Sequence, residues 1–149
     1  MAGTHLHIGT NADQVLDTFA RLAMADQQRT LWEDIGEYLE LATRARFELE
    51  VAPDGTPWEP LDPAYQARKP RRQDQILVLD AFLRDHMSYD ASSGGVDYGS
   101  GRIYAATHHY GDPDRGIPER QILGLSDDDT RHVLELAQEH LQGIIDASA

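Results

Sequence analysis

The sequence predicts an α+β fold in one domain spanning residues 1–149: long N-terminal helices, a small antiparallel sheet with short helices, and a long C-terminal helix. Three observations predict it. Apolar residues recur at helical spacing near both ends of the chain, two alternating runs in the middle flank a Ser-Ser-Gly-Gly turn, and five prolines between them and the N-terminal helices interrupt regular structure. A chain of 149 residues has room for one real core and not for two comfortable ones.

Residues 12–26 place Val15, Leu16, Phe19, Leu22 and Ala23 on one helical stripe, with Asn11 as the N-cap. A second helix is expected from about Thr30 to Glu50. Its main stripe carries Leu31, Ile35, Leu39, Ala42, Arg46 and Leu49, and Leu41, Ala45 and Phe47 widen its apolar character, so it is expected to touch more than one neighbour. Pro53, Pro57, Pro60, Pro63 and Pro70 then break the chain into loop. Within that loop Asp62-Pro63 suits the start of one short helix carrying Tyr65. Trp58 reads as a pin holding the loop to the core, with a binding role as the lesser alternative. The run Arg68-Lys69-Pro70-Arg71-Arg72 reads either as a solvated loop or as a charged contact to an acidic surface.

Residues 76–84 read as a short buried helix or a strand leading into one. Met87 and Tyr89, then Val96 and Tyr98 beyond the glycine turn, form a hairpin pattern. Residues 103–110 form a short helix closed by Gly111 in a left-handed C-cap. Residues 117–124 read as extended, with Gln121 and Leu123 alternating with Ile122. Ser126 caps the last helix, Asp127, Asp128 and Asp129 sit on its positive end, and Asp129 completes a capping box. Val133, Leu134, Leu136, Ala137, Leu141, Ile144 and Ile145 supply its apolar positions.

The net charge of −13 comes from 26 acids against 13 bases. The acids crowd the two ends; residues 56–125 hold ten acids and eight bases, close to balance. Such a chain repels nucleic-acid phosphates, which disfavours a basic DNA-binding groove. No apolar run approaches the ~20 residues of a membrane span, and the first residues lack the pattern of a signal peptide. The absence of cysteine excludes disulfides, thiol catalysis and thiolate zinc sites, and suggests an intracellular origin.

The adjacent His108 and His109 pose the question of a metal or catalytic site. On a helix, neighbours point about 100° apart, so the pair cannot readily chelate one ion. No HExxH pattern exists, and a long-range site with His5, His7, His86, His132 or His140 has no support in spacing. One imidazole buried and hydrogen-bonded, the other exposed, is the plainer expectation. Ser100 does not sit in a GxSxG elbow, and Gly94, Gly95, Gly99 and Gly101 form no phosphate loop. These features point away from an enzyme, with no cofactor and no metal, and toward a structural or interaction protein.

Several pieces then coincide in order: "DGTPWEPL" (54–61), Tyr65 and Lys69, "IL" (76–77), "LR" (83–84), "VDYGS" (96–100), "YAATHHYG" (104–111), "IPERQILG" (117–124) and "SDDD" (126–129). Together they resemble the phage virion morphogenesis family, the tail completion or neck proteins of Mu-like and related tailed bacteriophages. The likeness runs from about Asp54 to Asp129. It departs where Ala81-Phe82 stands in place of the family's glycine before "LR", where His108-His109-Tyr110-Gly111 replaces "HQFG", and where Gln121 and Ile122 replace a proline and a phenylalanine.

The resemblance implies a non-enzymatic component acting in the virion where tail meets head, made in the host cytoplasm. It implies a ring of identical subunits, six by the symmetry of such tails, with heterologous interfaces. The expected partners are copies of itself and the adjoining connector and tail proteins, with genomic DNA passing through unbound. The residues put forward as subunit or partner contacts are Trp58, Arg68, Lys69, Arg71, Arg72, Tyr104, His108, His109 and Arg120. An acidic inhibitor that mimics DNA is the alternative; Asp13, Asp17, Glu33, Glu37 and Glu40 would supply part of its carboxylate row.

Overall fold

The computed structural model of the protein describes residues 3–9, 25–78 and 82–148. The helix expected over 12–26, its cap Asn11, and the acids Asp13 and Asp17 lie outside the described residues, apart from residues 25 and 26. In chain order the elements are strand β1 (Thr4–Gly9), helix α1 (Ala25–Leu49), helix α2 (Pro63–Arg68), helix α3 (Phe82–Asp85), strands β2 (Ser88–Ala91) and β3 (Gly95–Ser100), helix α4 (Ile103–Tyr110), a 3-10 turn (Pro113–Arg115) and helix α5 (Asp127–Ser148). The class is α+β.

The sheet is antiparallel with order β1-β3-β2. Leu6 and Ile8 of β1 face Tyr98 and Val96 of β3, which in turn face Tyr89 and Ala91 of β2. Because side chains alternate along a strand, these six share one face of the sheet. Helix α1 covers it with Leu31, Trp32, Ile35, Leu39 and Phe47, all buried. Close approach is possible because residue 36 is glycine: a Cβ there would stand 2.5 Å from the Tyr89 ring. Burying Ile35 or Leu39, each 1% exposed, stabilises the fold by roughly 1.5–3 kcal/mol.

Helix α1 ends in a Schellman arrangement. Glu50 takes φ +56°, and the Val51 amide reaches back to the Arg46 carbonyl at 3.2 Å, which satisfies a carbonyl the helix would otherwise leave open. Asp62 caps α2 by accepting from the Tyr65 amide, with Pro63 in the first turn. The capping box of α5 forms in both directions. The Asp129 amide donates to Ser126 Oγ at 2.9 Å, and the Ser126 amide donates to Asp129 Oδ2 at 2.8 Å. Gly111 closes α4 with φ +76° and ψ 170°, the mirror-extended region that belongs to glycine and not the αL cap expected.

Beyond the Gly111 cap, the structure corrects four further readings of the elements. The sheet is not confined between the long helices, because β1 precedes them. Leu41 and Leu49 stand exposed at 68% and 71%, so the apolar stripe of α1 is narrower than its composition suggests. Among the described residues of 76–84 the helix covers Phe82–Arg84, while Ile76 and Leu77 form a turn and Ile76 and Val78 are buried. In 117–124, Ile122 and Leu123 are both buried while Gln121 is exposed, so strict alternation does not hold.

Candidate functional site

The capping carboxylate of α5 is the junction of the two long helices. Asp129 receives the buried Arg46 guanidinium from α1 and the Tyr38 hydroxyl at 2.7 Å; Arg46 also donates to the Gly124 carbonyl at 3.1 Å. Burial pushes the Asp129 carboxyl up, but the Ser126 amide, the Tyr38 hydroxyl and Arg46 outweigh it and hold the pKa below the usual range. Tyr38 is pushed up to about 12, first by burial and then by its bond to Asp129. Arg46 was legible as the one charged residue on the apolar stripe of α1. Its partner was not.

The middle of the chain folds around a cleft of about 660 Å³. Its walls come from α2, the loop after it, α4 and the turn preceding residue 120. Leu61, Leu77, Val78, Leu83, Ile117 and Pro118 give it an apolar lining. Its polar lining holds four basic side chains, Arg68, Lys69, Arg115 and Arg120, against one carboxylate, Asp62. In a chain of net charge −13 this lining is locally rich in base.

Two of those bases are built into the walls. Lys69 is 3% exposed, and its ammonium donates to the carbonyls of Arg72, Gln75 and Val78. All three protons are taken by neutral acceptors, so the charge remains without a carboxylate in direct contact. Burial lowers the Lys69 pKa. Arg120, 5% exposed, donates through Nε to Glu59 O at 2.9 Å and through Nη2 to Pro60 O at 3.2 Å; burial lowers its pKa too. The other two stand at the rim. Arg68 is exposed with Nε on the Ala64 carbonyl, and Arg115 pairs with Asp112 at 2.6 Å. Tyr65 and Tyr104, 44% and 40% exposed, complete the lining.

Five of the nine proposed contact residues meet here: Arg68, Lys69, Tyr104, His108 and Arg120. Their placement refines the expectation, since Lys69 and Arg120 are interior side chains that shape the cleft from within. Trp58 is also interior at 4% exposure. It packs edge-on against Phe47 at 5.3 Å and donates Nε1–H to the Gln121 carbonyl at 2.8 Å, so it pins the loop. Arg71 and Arg72 are exposed on the loop and do not line the cleft.

The two histidines divide differently from the expected buried and exposed pair, because both are half-buried. His109 Nδ1 accepts from the amides of Ile122 and Leu123 at 3.1 and 3.4 Å. It is thereby a neutral ring tying 117–124 to α4, and burial pushes its pKa down. His108 lines the cleft; burial, then Arg120 and Arg115, push its pKa down. Among the described residues no three His, Asp or Glu side chains converge on a position that would hold a metal ion. Among them, too, no helix is long and apolar enough to cross a membrane. Asp62, Tyr65 and Arg115 complete a site that sequence reading left unassembled.

A model of the phage virion morphogenesis family matches residues 9–142, nearly the whole chain and well beyond the 54–129 stretch that carried the resemblance. The chain belongs to that family. It is thus a phage protein with a structural role in building the virion. No curated protein and no solved structure matches it.

Proposed function

We propose that this member of the phage virion morphogenesis family completes the tail or neck of the particle. It helps join head to tail as one subunit of a ring, six copies by tail symmetry, around the DNA channel. The observation that carries this reading beyond family membership is the half-apolar cationic cleft on an otherwise acidic chain. Its interior bases Lys69 and Arg120 are held by backbone carbonyls and not by carboxylates, so their charge is not cancelled by a direct ion pair and favours the approach of an acidic protein surface. The net charge of −13 supports a second part of the mechanism, in which DNA passes an acidic wall without sticking.

Among the described residues the best-placed polar side chains are already engaged in structure. His109 is occupied by two backbone amides, Lys69 by three carbonyls, and Asp129 by the helix junction. The DNA-mimic alternative loses ground to pairing on α1. Arg29 engages Glu33 at 3.1 Å and Arg44 approaches Glu40 at 3.8 Å, which interrupts the carboxylate row.

Electron microscopy of particles assembled without the protein tests the joining role. Separate filled heads and finished-looking tails are expected; intact infectious virions would refute it.

A further inference from the structure

Helix α5 carries two apolar stripes. Val133, Leu136 and Ala137 pack on the core. Leu134, Leu141 and Ile145 are seven and four residues apart and therefore fall on a second line down the helix. Leu134 is 58% and Ile145 45% exposed, with Leu141 half-buried between them. Glu135, Glu139 and Asp146, all exposed, lie roughly 100–140° round the helix from it, beyond Arg131, Gln138 and Gln142. The helix holds six acids and one base. It therefore presents an apolar ridge on an acidic helix, while the cleft presents an apolar floor whose lining holds more bases than acids.

We propose that the outer face of α5 of one copy seats in the cleft of the next copy. Leu134 and Leu141 enter over Leu77, Val78 and Ile117, and Glu135 and Glu139 meet Arg68 and Arg115 at the rim. The inference rests on the ring reading above and names the surface that would build it. A cleft of this volume is the size of a small-ligand site, so it admits a ridge of side chains and not a whole helix, as in helix-in-groove recognition. Two chains of charge −13 repel on average, and the base-rich cleft is a place where an acidic helix gains by approach. Because the two surfaces differ and lie on the same chain, the contact is heterologous and propagates from copy to copy.

The chain has no cysteine, which makes directed cross-linking clean. Tyr104→Cys at the cleft and Leu134→Cys on α5 are prepared as separate variants, mixed and oxidised. A mixed 104–134 disulfide between copies is expected; neither variant alone gives it, and His7→Cys on the outer sheet face gives none with either. Arg68→Glu/Arg115→Glu and Glu135→Arg/Glu139→Arg are each expected to weaken self-association at least about tenfold, and mixing the two is expected to restore it.

Oligomers that form without the 104–134 bond and ignore both reversals would overturn this docking while leaving the ring reading standing. A strictly monomeric protein that gives no cross-link would overturn the docking, and the microscopy above would then decide the joining role on its own. A Phe19→Cys/Tyr104→Cys chain that closes on itself as a monomer would assign the cleft to residues 12–26 and overturn it as well.

Discussion

Replacing Asp129 by Asn removes the negative charge at the junction of α1 and α5. In the folded chain the Asp129 and Arg46 side chains are 7% and 8% exposed. An Asn oxygen still accepts from the Ser126 amide or the Tyr38 hydroxyl. Arg46, however, loses its buried counter-charge and, among the described residues, keeps the Gly124 carbonyl as a hydrogen-bonded partner. Breaking a buried pair in this way costs about 3–5 kcal/mol, which for a domain of this length lowers Tm by about 6–20 °C. Arg46→Met is expected to cost less, because Asp129 retains the Ser126 amide, Tyr38 and the positive end of α5. The double variant should be more stable than the sum of the singles by about 1–3 kcal/mol.

Urea unfolding followed by fluorescence of the buried Trp32 and Trp58 measures all three. The depressed Asp129 pKa adds a pH signature. Its stabilisation is present above the unfolded carboxyl value of about 3.9 and is lost as pH falls through the folded one, a slope that Asp129→Asn should flatten. A cost under about 1 kcal/mol, or additive single effects, would refute the junction as described.

Burial holds His109 and His108 below the ordinary imidazole pKa. Stability is therefore expected to be full above about pH 6.5 and to fall as pH drops toward the folded values. His109→Asn, which accepts the same amides without titrating, should remove part of that fall in urea titrations at several pH values; an unchanged slope would contradict the assignment. Gly36→Ala gains about 1 kcal/mol of helix propensity yet drives a Cβ into the Tyr89 ring at 2.5 Å, so a net loss of about 1–2 kcal/mol is expected. The same substitution should become harmless on a Tyr89→Ala background, measured by thermal unfolding. Lys69→Met orphans three carbonyls of the loop over 69–78 and should cost about 1.5–3 kcal/mol, with faster trypsin cleavage at Arg71 and Arg72. Unaltered cleavage would mean that the ammonium does not organise the loop.

Local features were readable where the chemistry is local. The Ser126–Asp129 capping box, the Asp62-Pro63 helix start and the Ser-Ser-Gly-Gly hairpin each depend on residues within a few positions, and each formed as read. Strand β1 escaped notice although Leu6 and Ile8 alternate with His5 and His7, because a six-residue strand is defined by pairing with β3 some 90 residues away. Lys69 sits in a basic run that reads as solvated, and nothing local marks one amine of that run as turned inward on three carbonyls. The cleft draws its walls from residues 61 to 120, so its residues were identifiable one by one while their convergence was not. Leu41 and Leu49 show the converse, being apolar residues at helical spacing that the fold leaves exposed. Leu134 and Ile145 belong to the same group, and the proposed docking gives them a partner.

Electron cryomicroscopy of the purified phage, reconstructed at the head–tail junction, tests the central claim most directly. The account predicts a sixfold ring of this fold around the DNA channel, with α5 of each copy against the Arg68–Arg115 cleft of its neighbour. Finished virions that lack the chain, or that carry it away from the junction with both surfaces bare, would contradict it.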